Sequence, residues 1–441
     1  MDTLYALSSG APPAGVAVVR ISGPASRFAV ETICGGLPEP RRAQLRALRD
    51  PQTGEVLDRG LVLWFPAPHS FTGEDCAELQ VHGGPAVVSA VLSALGSVDG
   101  LRMAEAGEFS RRAFENGKLD LTELEGLSDL IAAQTQEQRR QAVAQSSGRL
   151  RRQLEEWRAE IIRMRAMIEA ELDFADEDDV PASAAESVWR DADSLAKRIG
   201  RSLTDDNRGE LIRSGFEVVL LGPPNSGKSS LLNALAQREA AIVSEEAGTT
   251  RDLIEVQLDL GGYAVRVVDT AGIREAQGVV EREGIRRARE RAKHADLVIW
   301  LIPPESGSAE VETLAGLPFA GEEEAVPVLA FHSKDDSGAF GSSGVSVRRD
   351  DGLADLVSAI KARVAGRLGR GEEAIVTRRR HRECLTNCMA ALQSGVSQGD
   401  LGIELRAEHL RRAGDELGRL TGLVDVEDLL DVIFAEFCVG K

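Results

Sequence analysis

The sequence contains few cysteines and no long apolar run. Its 441 residues include five cysteines, an odd number spread along the chain, which argues against a disulfide framework. No apolar stretch approaches the roughly 20 residues that span a bilayer. The first ten residues, MDTLYALSSG, lack the basic and apolar segments of a signal peptide. We therefore expect a protein without a membrane segment that works in the cytoplasm.

Acidic residues outnumber basic ones. The chain has 52 Lys and Arg against 71 Asp and Glu, a formal net charge of −19. General affinity for nucleic acid needs a net basic surface that neutralises phosphates, so any RNA contact must come from a local patch. The candidates are the run TRRRHR at 377–382 and three arginines, Arg149, Arg151 and Arg152. Such runs are more commonly the charged face of a solvated helix.

The length predicts two or three domains, because single domains usually hold about 100 to 200 residues. In the first 120 residues, GVAVVRISG (15–23) and GLVLWFP (60–66) are typical of strands, and PAVVSAVLSALGS (85–97) is typical of a helix. Short apolar runs and Gly/Pro turns alternate throughout this part of the chain. The pattern indicates a compact α+β domain.

Long helical stretches follow from about residue 119. In 150–172 apolar residues recur every three or four positions, which predicts the seam of a bundle or coiled coil. From 215 to about 365 strands alternate with helices, the pattern of a doubly wound α/β domain. Helices resume after the linker GRLGRGEE (366–373). We expect an α/β domain inserted into a helical one, with the acidic run at 173–180 and the segment 305–325 forming surface loops.

One segment points to nucleotide chemistry. The sequence GPPNSGKS at 222–229 fits the pattern GxxxxGK[ST], with a predicted strand before it and a helix after it. In that context backbone N–H groups and the helix terminus hold the β-phosphate, the lysine reaches the β and γ oxygens, and the serine hydroxyl binds Mg²⁺. The segment predicts a phosphate-binding loop with these nucleotide-contacting residues: Asn225, Ser226, Gly227, Lys228, Ser229 and Ser230.

Further segments agree with this loop in order and spacing. GTTRD (248–252) offers Thr249 and Thr250, one of which would complete the magnesium shell when the γ-phosphate is present. DTAG, formed by Asp269, Thr270, Ala271 and Gly272, would bring a carboxylate to the metal and the glycine amide to the γ-phosphate. These segments together favour a P-loop nucleotide triphosphatase.

Guanine selection normally depends on an N/T-K-x-D run. Here the corresponding residues are Ser333, Lys334 and Asp336, so serine replaces the usual asparagine, and Ser346 in SVR stands where Ser-Ala-Lys is usual. Asp336 can accept hydrogen bonds from guanine N1 and N2, and Lys334 can pack on the ring. We therefore expect GTP. ATP is the alternative, which the Lys334-x-Asp336 pair disfavours.

The residue after Gly272 is Ile273, where Ras-like proteins have the glutamine that orients the attacking water. Isoleucine cannot orient water, so charge stabilisation and water positioning must come from elsewhere. An additional cation beside the phosphates is one source. A carboxylate is the other, and the residues alone leave three glutamates open: Glu275, Glu281 and Glu283.

Motifs along the whole chain resemble one family. They occur in the order VVRISG, FTGEDCAELQVHGG, AGEFSRRAFENGKLDL, GPPNSGKSSLLNAL, AIVSEEAGTTRD, DTAGIREAQGVVEREGI and the terminal FCVGK. This series is similar to that of the bacterial tRNA modification GTPases called MnmE or TrmE. The amino-terminal and carboxy-terminal motifs are the specific ones, because many families share the GTPase motifs.

The resemblance implies a multidomain homodimer and a place in tRNA modification. It implies an α+β N-terminal domain that binds a tetrahydrofolate derivative and dimerises (1–118), a discontinuous all-α helical domain (119–212 and 367–441) and an inserted α/β P-loop G domain (213–366). With the flavoprotein MnmG (GidA), in a heterotetramer, such proteins add an aminomethyl or carboxymethylaminomethyl group to C5 of the wobble uridine, position 34, of certain tRNAs. The one-carbon unit comes from 5,10-methylene- or 5-formyl-tetrahydrofolate.

The resemblance also implies how hydrolysis is activated. Potassium bound at the phosphate loop orders the first switch and pairs two G domains. By position, Glu281 matches the carboxylate that positions the attacking water, and Ser229 and Thr250 match the magnesium ligands. The potassium ligands match the side chain of Asn225 and the carbonyls around Ser244, Glu246 and Thr249.

For folate, the resemblance implies binding by Arg20, Glu78 and Lys118. A carboxylate can accept two hydrogen bonds from the pterin edge, and Arg and Lys suit the anionic glutamate tail. The end of the chain implies that Cys438 and Lys441 reach the folate and modification site, Lys441 as a folate ligand. Without the family, the cations would be interpreted as surface charges and the cysteine as a buried thiol.

A rival of a different class is a regulatory GTPase of ribosome assembly. Such a protein would carry an appended basic RNA-binding domain, whereas this chain has an acidic balance and a folate-like N-terminal region. The sequence therefore favours the modification enzyme.

Overall fold

The computed structural model describes residues 2–173, 183–204, 207–223, 225–238, 241–242, 254–269, 290–304, 326–369, 376–398 and 402–424, with 430, 434 and 440. The chain forms two compact units. The first comprises Met1–Ser128, Gln145–Ala196 and Asn387–Lys441, and the second comprises Asp129–Ala144 and Lys197–Thr386.

The first unit contains a six-stranded sheet in the order β3-β4-β5-β2-β1-β6. Its strands are antiparallel except for the parallel pair β1 and β6. The buried side of the sheet packs against α1 and α2, with residues such as Val19, Leu79 and Val91 fully enclosed. The elements are β1 (Thr3–Leu7), β2 (Ala14–Ser22), α1 (Ser26–Cys34), β3 (Gln44–Arg49), β4 (Val56–Phe65), β5 (Cys76–Gly83), α2 (Pro85–Gly96), β6 (Leu101–Met103) and α3 (Glu108–Glu115).

Helices form the rest of this unit and part of the second. They are α4 (Leu121–Ala132), α5 (Gln136–Ser146), α6 (Arg149–Asp173) and α7 (Ser183–Leu203). The predicted seam lies on α6, which buries six apolar residues at helical spacing because they face neighbouring helices. Those residues are Leu150, Leu154, Trp157, Ile161, Met164 and Ile168.

The second unit contains a seven-stranded sheet in the order β13-β12-β11-β7-β10-β9-β8. Strands β7, β10, β11, β12 and β13 run parallel, and β9 pairs antiparallel with β8 and β10. Its elements are α8 (Arg208–Ser214), β7 (Phe216–Leu221), α9 (Lys228–Ala236), β8 (Ala241–Ile242), β9 (Ile254–Asp259), β10 (Ala264–Asp269), β11 (Leu297–Ile302), β12 (Val328–Ser333), β13 (Gly344–Val345) and α10 (Asp350–Leu368). Two further helices follow, α11 (Arg379–Ser397) and α12 (Ile403–Thr421).

The parallel strands place the predicted nucleotide residues together at their carboxyl ends. Gly222 follows β7, Asp269 ends β10 and Ser333 ends β12, and the carboxyl ends of parallel strands meet at a single edge. β12 adjoins β11, which adjoins β7, which adjoins β10. The sheet order therefore explains why residues more than a hundred positions apart in sequence can serve one ligand.

The predicted fold class is confirmed: an α+β N-terminal part, helices and an α/β P-loop part are all present. The boundaries at 118, 212 and 366 stay predictions. Most of the acidic run 173–180 and all of 305–325 lie outside the described residues. Of the helices that the structure describes, none is long and apolar enough to cross a membrane.

Candidate functional site

The phosphate loop joins β7 to α9. Gly222 has φ of +150°, and a Cβ there would lie 2.6 Å from the carbonyl oxygen of Leu301 and 2.8 Å from Ser226 Oγ. Gly227, with φ of +91°, immediately precedes α9. Both positions require glycine, one for close approach and one for its left-handed backbone. Lys228 begins the helix, so the helix N-terminus points its free N–H groups into the loop.

The ammonium group of Lys228 lies inside this loop. Its Nζ donates to the carbonyl oxygens of Gly222 and Pro223, both at 2.9 Å, and the residue is buried. Burial lowers the pKa of Lys228, and the nearby carboxylate of Asp269 partly opposes that effect. Its hydrogen-bond partners are thus all neutral, the two carbonyls and the Ser226 hydroxyl at 3.4 Å, and a buried cation with such partners suits an anionic ligand such as phosphate.

Ser229 and Asp269 are predicted to bind magnesium, and the structure shows their side chains in contact. Ser229 Oγ donates to Asp269 Oδ2 at 2.5 Å, and Asp269 is fully buried at the end of β10. Hydroxyl and carboxylate oxygens are the ligand types that Mg²⁺ prefers. The serine side chain itself is on the exposed side of α9, as is Ser230. The pair therefore fits a magnesium ion that also contacts phosphate.

The candidate base-binding residues follow β12. Ser333 is buried, and its hydroxyl donates to the Ile302 carbonyl at 3.4 Å. Lys334 has φ of +58°. Asp336 accepts hydrogen bonds from Ser346 Oγ and, at 3.0 Å, from Arg348 Nη1. The structure thus brings together two of the predicted GTP-binding residues, Asp336 and Ser346, and adds Arg348, which sequence reasoning did not assign.

A buried carboxylate supports this base-binding turn. Although burial raises the pKa of Asp335, hydrogen bonds from the backbone N–H groups of Phe340 and Ala339 lower it overall. Gly344 passes so close that a Cβ there would lie 2.1 Å from Asp335 Oδ2. Asp335 therefore fixes the loop that follows its neighbour Asp336, and Gly344 cannot be replaced without moving that loop.

Several predicted site residues lie outside the described part of the chain, so their roles stay predictions. They are Ser244, Glu246, Thr249, Thr250, Thr270, Ala271, Gly272, Glu281, Cys438 and Lys441. Asn225, the predicted potassium ligand, is described: it is exposed and has φ of +60°. This left-handed conformation is uncommon for residues other than glycine, but asparagine tolerates it.

The first unit brings two predicted folate residues together. Arg20 on β2 and Glu78 on β5 are register partners, and Arg20 donates to Glu78 Oε1 through Nε at 3.2 Å and Nη2 at 2.9 Å. The guanidinium also lies 4.9 Å from the ring centroid of Phe71 and 5.7 Å from that of Phe109. Sequence reasoning missed both rings, which hold the guanidinium by cation–π contact.

Lys118, the third predicted folate residue, contacts the loop that carries Phe71. Its Nζ donates to the carbonyl of Pro68 at 3.0 Å, and its side chain passes beside Gly73. Phe71 lies between these two residues in the sequence and contacts Arg20. A basic pair, a carboxylate and an aromatic ring suit a ligand with an anionic tail and a flat hydrogen-bonding ring.

The basic run at 377–382 is largely neutralised by acidic partners. Arg378 pairs with Asp129 at 2.7 Å, Arg379 with Glu383 at 2.7 Å and Arg382 with Glu210 at 2.8 Å. On α6, Arg151 pairs with Glu123 and Glu155. Arginines committed to such pairs have less charge to offer phosphates, so the structure favours the interpretation as a charged helix face.

A cavity of about 270 Å³ lies along α6, between Arg151 and Ile162. Its lining includes Asp120, which caps α4 by accepting hydrogen bonds at Oδ1 from Thr122 Oγ1 and the Glu123 N–H. The other oxygen, Oδ2, is buried and has no hydrogen-bond partner in the part of the chain that the structure describes. Burial raises the pKa of Asp120 to about 6.

This raised pKa makes the effect of Asp120→Asn depend on pH. The folded protein binds the Asp120 proton more tightly than the unfolded chain does, so this stabilisation is present below about pH 4 and is lost as pH rises through about 6. Asparagine keeps the cap and carries no charge. We expect the variant to gain up to about 3 kcal/mol at pH 8 and nothing at pH 4.

The check is thermal unfolding of Asp120→Asn and the parent protein across pH 4 to 8. Asp99→Asn is the matched control because Asp99 is exposed, and we expect it to show no such trend. A constant difference between Asp120→Asn and the parent at all pH values would contradict the buried-charge explanation.

The chain is similar to known proteins along its length. Residues 3–118 match the model "GTP-binding protein TrmE N-terminus", and residues 121–438 match the model "MnmE helical domain". The protein "tRNA modification GTPase MnmE" of Rhizobium meliloti is 53% identical over 446 residues, covering 100% of this chain and 99% of the relative. The protein of the same name from Brucella melitensis is 51% identical over 444 residues, covering 100% and 98%. The resemblance predicted from the motifs is confirmed, and the chain belongs to the MnmE (TrmE) family.

Proposed function

We propose that this protein is a GTPase of tRNA modification. It acts with a flavoprotein partner, MnmG, to add an aminomethyl or carboxymethylaminomethyl group to C5 of the wobble uridine in certain tRNAs. The observation that carries the proposal is the meeting of Lys228, Ser229 and Asp269 at the carboxyl edge of one parallel sheet. Full-length relatives named tRNA modification GTPase support the substrate class.

Each described residue has a defined task in binding GTP. The ammonium of Lys228 exchanges two neutral carbonyl partners for the β and γ oxygens of the nucleotide. The Ser229 hydroxyl and the Asp269 carboxylate hold magnesium, which neutralises developing charge on the phosphates when bound. Asp336 exchanges Arg348 for the N1 and N2 donors of guanine, while Ser346 keeps the carboxylate oriented.

Water positioning belongs to Glu281 in this proposal. A carboxylate can accept a hydrogen bond from the attacking water, directly or through a second water, where Ile273 cannot. Asn225 contributes its amide oxygen to a potassium site together with backbone carbonyls of 244–249. Bound potassium supplies positive charge beside the phosphates, the task of an arginine finger in other GTPases. Hydrolysis occurs when two G domains of a homodimer pair.

Arg20, Glu78 and Lys118 form the proposed folate site. Glu78 uses one oxygen for Arg20, and its Oε2 makes no hydrogen bond to any residue that the structure describes. This oxygen is available to the amino group of a pterin, and Phe71 offers a ring for stacking. Lys118 and Lys441 suit the carboxylates of the glutamate tail, and Cys438 is proposed to serve the modification chemistry. The bound tetrahydrofolate derivative supplies the one-carbon unit. The proposed location of this modification reaction is the cytoplasm.

The experiment is nucleoside analysis of tRNA from a strain that lacks the gene. The proposal predicts unmodified wobble uridine, restored by the parent gene and not by one carrying Lys228→Met. An unchanged nucleoside profile together with accumulation of ribosomal precursors would favour the rival role in ribosome assembly and overturn the proposal.

A further inference from the structure

The carboxy-terminal tail touches the amino-terminal domain at a point fixed by Gly440. The hydroxyl of Ser8 donates to the Gly440 carbonyl at 2.7 Å. Gly440 has φ of +97°, and a Cβ there would lie 2.0 Å from the carbonyl oxygen of Leu7 and 3.0 Å from the Cα of Ser8. A side chain at position 440 therefore cannot be accommodated, for steric and conformational reasons together.

A second contact lies six residues earlier. Phe434 is buried and packs with Leu124, and its ring lies 5.3 Å below the guanidinium of Arg111. Its carbonyl oxygen approaches Gly107 so closely that a Cβ there would lie 2.4 Å away, and Gly107 itself has φ of +70°. Both contacts thus depend on a glycine, Gly107 on the receiving surface and Gly440 in the tail.

Both contacts lie near Arg20, one of the residues proposed to bind folate. Ser8 follows β1 directly, and in the pairing of β1 with β2 the residue opposite Arg20 is Ala6. Ser8 is therefore roughly 7 Å along the strand from that position. Near the second contact, α3 begins after Gly107 and places Phe109 against the Arg20 guanidinium. The tail therefore contacts the domain at two points near the residues proposed to bind folate.

We propose that Ser8 is a positioning residue that holds the carboxy-terminal tail at the Arg20–Glu78 pair, with Gly107 and Gly440 allowing the close contacts. Residues 438 and 441 lie within two positions of Gly440, a reach of roughly 7 Å. Ser8 acts through the tail backbone and touches no substrate. This inference rests on the proposed function, because holding the tail in place matters only if residues 438 and 441 take part in the modification.

The test compares Ser8→Ala, Ser8→Thr and Gly440→Ala in the full-length protein. Carboxypeptidase B releases the terminal Lys441, and its rate reports how often the tail leaves the domain. We expect Ser8→Ala to accelerate release about fivefold, the effect of one net hydrogen bond, and Gly440→Ala to accelerate it more. Ser8→Thr keeps the hydroxyl and restores the parent rate. Ser9→Ala is the matched control because Ser9 Oγ accepts from the Val18 N–H and has no hydrogen bond to Gly440, the tail residue that the structure describes beside Ser8.

The same variants are then assayed for tRNA modification with the flavoprotein partner. Ser8→Ala lowers kcat by at most about fivefold, because the docked fraction of the tail falls by no more than the opening constant rises. It leaves both KM for tRNA and the rate of GTP hydrolysis unchanged, whereas general damage to the fold would change all three. Parent-like release and kcat in Ser8→Ala would overturn the inference. If the parent protein itself modifies no tRNA, the proposed function fails, and faster tail release in Ser8→Ala still shows that Ser8 holds the tail.

Discussion

Glu281→Ala is expected to abolish GTP hydrolysis while GTP binding stays nearly intact. A residue that only positions the attacking water acts in the transition state, so its loss lowers kcat and leaves ground-state affinity alone. Removal of such a group costs about a thousandfold in rate. The sequence leaves no substitute at the usual position, because Ile273 follows Gly272.

The chain provides its own controls for this experiment. Glu275 and Glu283 lie in the same segment, and alanine at either position should leave kcat within a few-fold of the parent. Single-turnover hydrolysis and equilibrium titration with a fluorescent GTP analogue measure the two quantities separately. Loss of binding in Glu281→Ala, or an equal loss of rate in Glu283→Ala, would remove Glu281 from the proposed role.

Lys228→Met is expected to show the opposite pattern. Loss of the ammonium that meets the β and γ oxygens should weaken GTP binding by about a hundredfold or more. The nucleotide-free protein should be as stable as the parent or more so. Burial lowers the pKa of Lys228, so the charged lysine destabilises the folded state at every pH below its folded pKa, and methionine removes that penalty.

Thermal unfolding without nucleotide and titration with GTP test both parts of this prediction. Lys293→Met is the matched control, because Lys293 is a partly exposed lysine paired with Glu290 in the same unit. It should leave affinity unchanged. A Lys228→Met protein that unfolds at a markedly lower temperature would mean that the lysine stabilises the loop, and tight GTP binding would contradict its assignment to phosphate.

The sequence was sufficient for those parts of the site that depend on local chemistry. A strand, a glycine loop and a helix that begins at Lys228 follow from residues adjacent in the chain, and the structure has them in that form. The seam on α6 is also local, since it depends only on helical spacing. For the same reason Asp269, which ends β10, could be assigned to the metal site without knowledge of its contact with Ser229.

Contacts between distant residues could not be predicted in this way. The pair Arg20 and Glu78, 58 residues apart, depends on the register of β2 and β5, which the alternation of apolar residues does not define. The contact of Ser8 with Gly440 spans 432 residues. Arg348 was missed because its pairing with Asp336 depends on the turn that Asp335 holds together. The family resemblance named Arg20 and Glu78 without giving their contact.

Potassium activation is tested by measuring GTP hydrolysis by the full-length protein in KCl and in NaCl at equal ionic strength. Potassium exceeds sodium in size, and the proposed site is built from Asn225 and backbone carbonyls, neutral oxygens that suit a large monovalent ion. We expect rapid hydrolysis in KCl, a rate lower by about an order of magnitude or more in NaCl, and loss of the difference in Asn225→Ala. Equal rates in the two salts would contradict potassium activation, and with it the explanation given for Ile273.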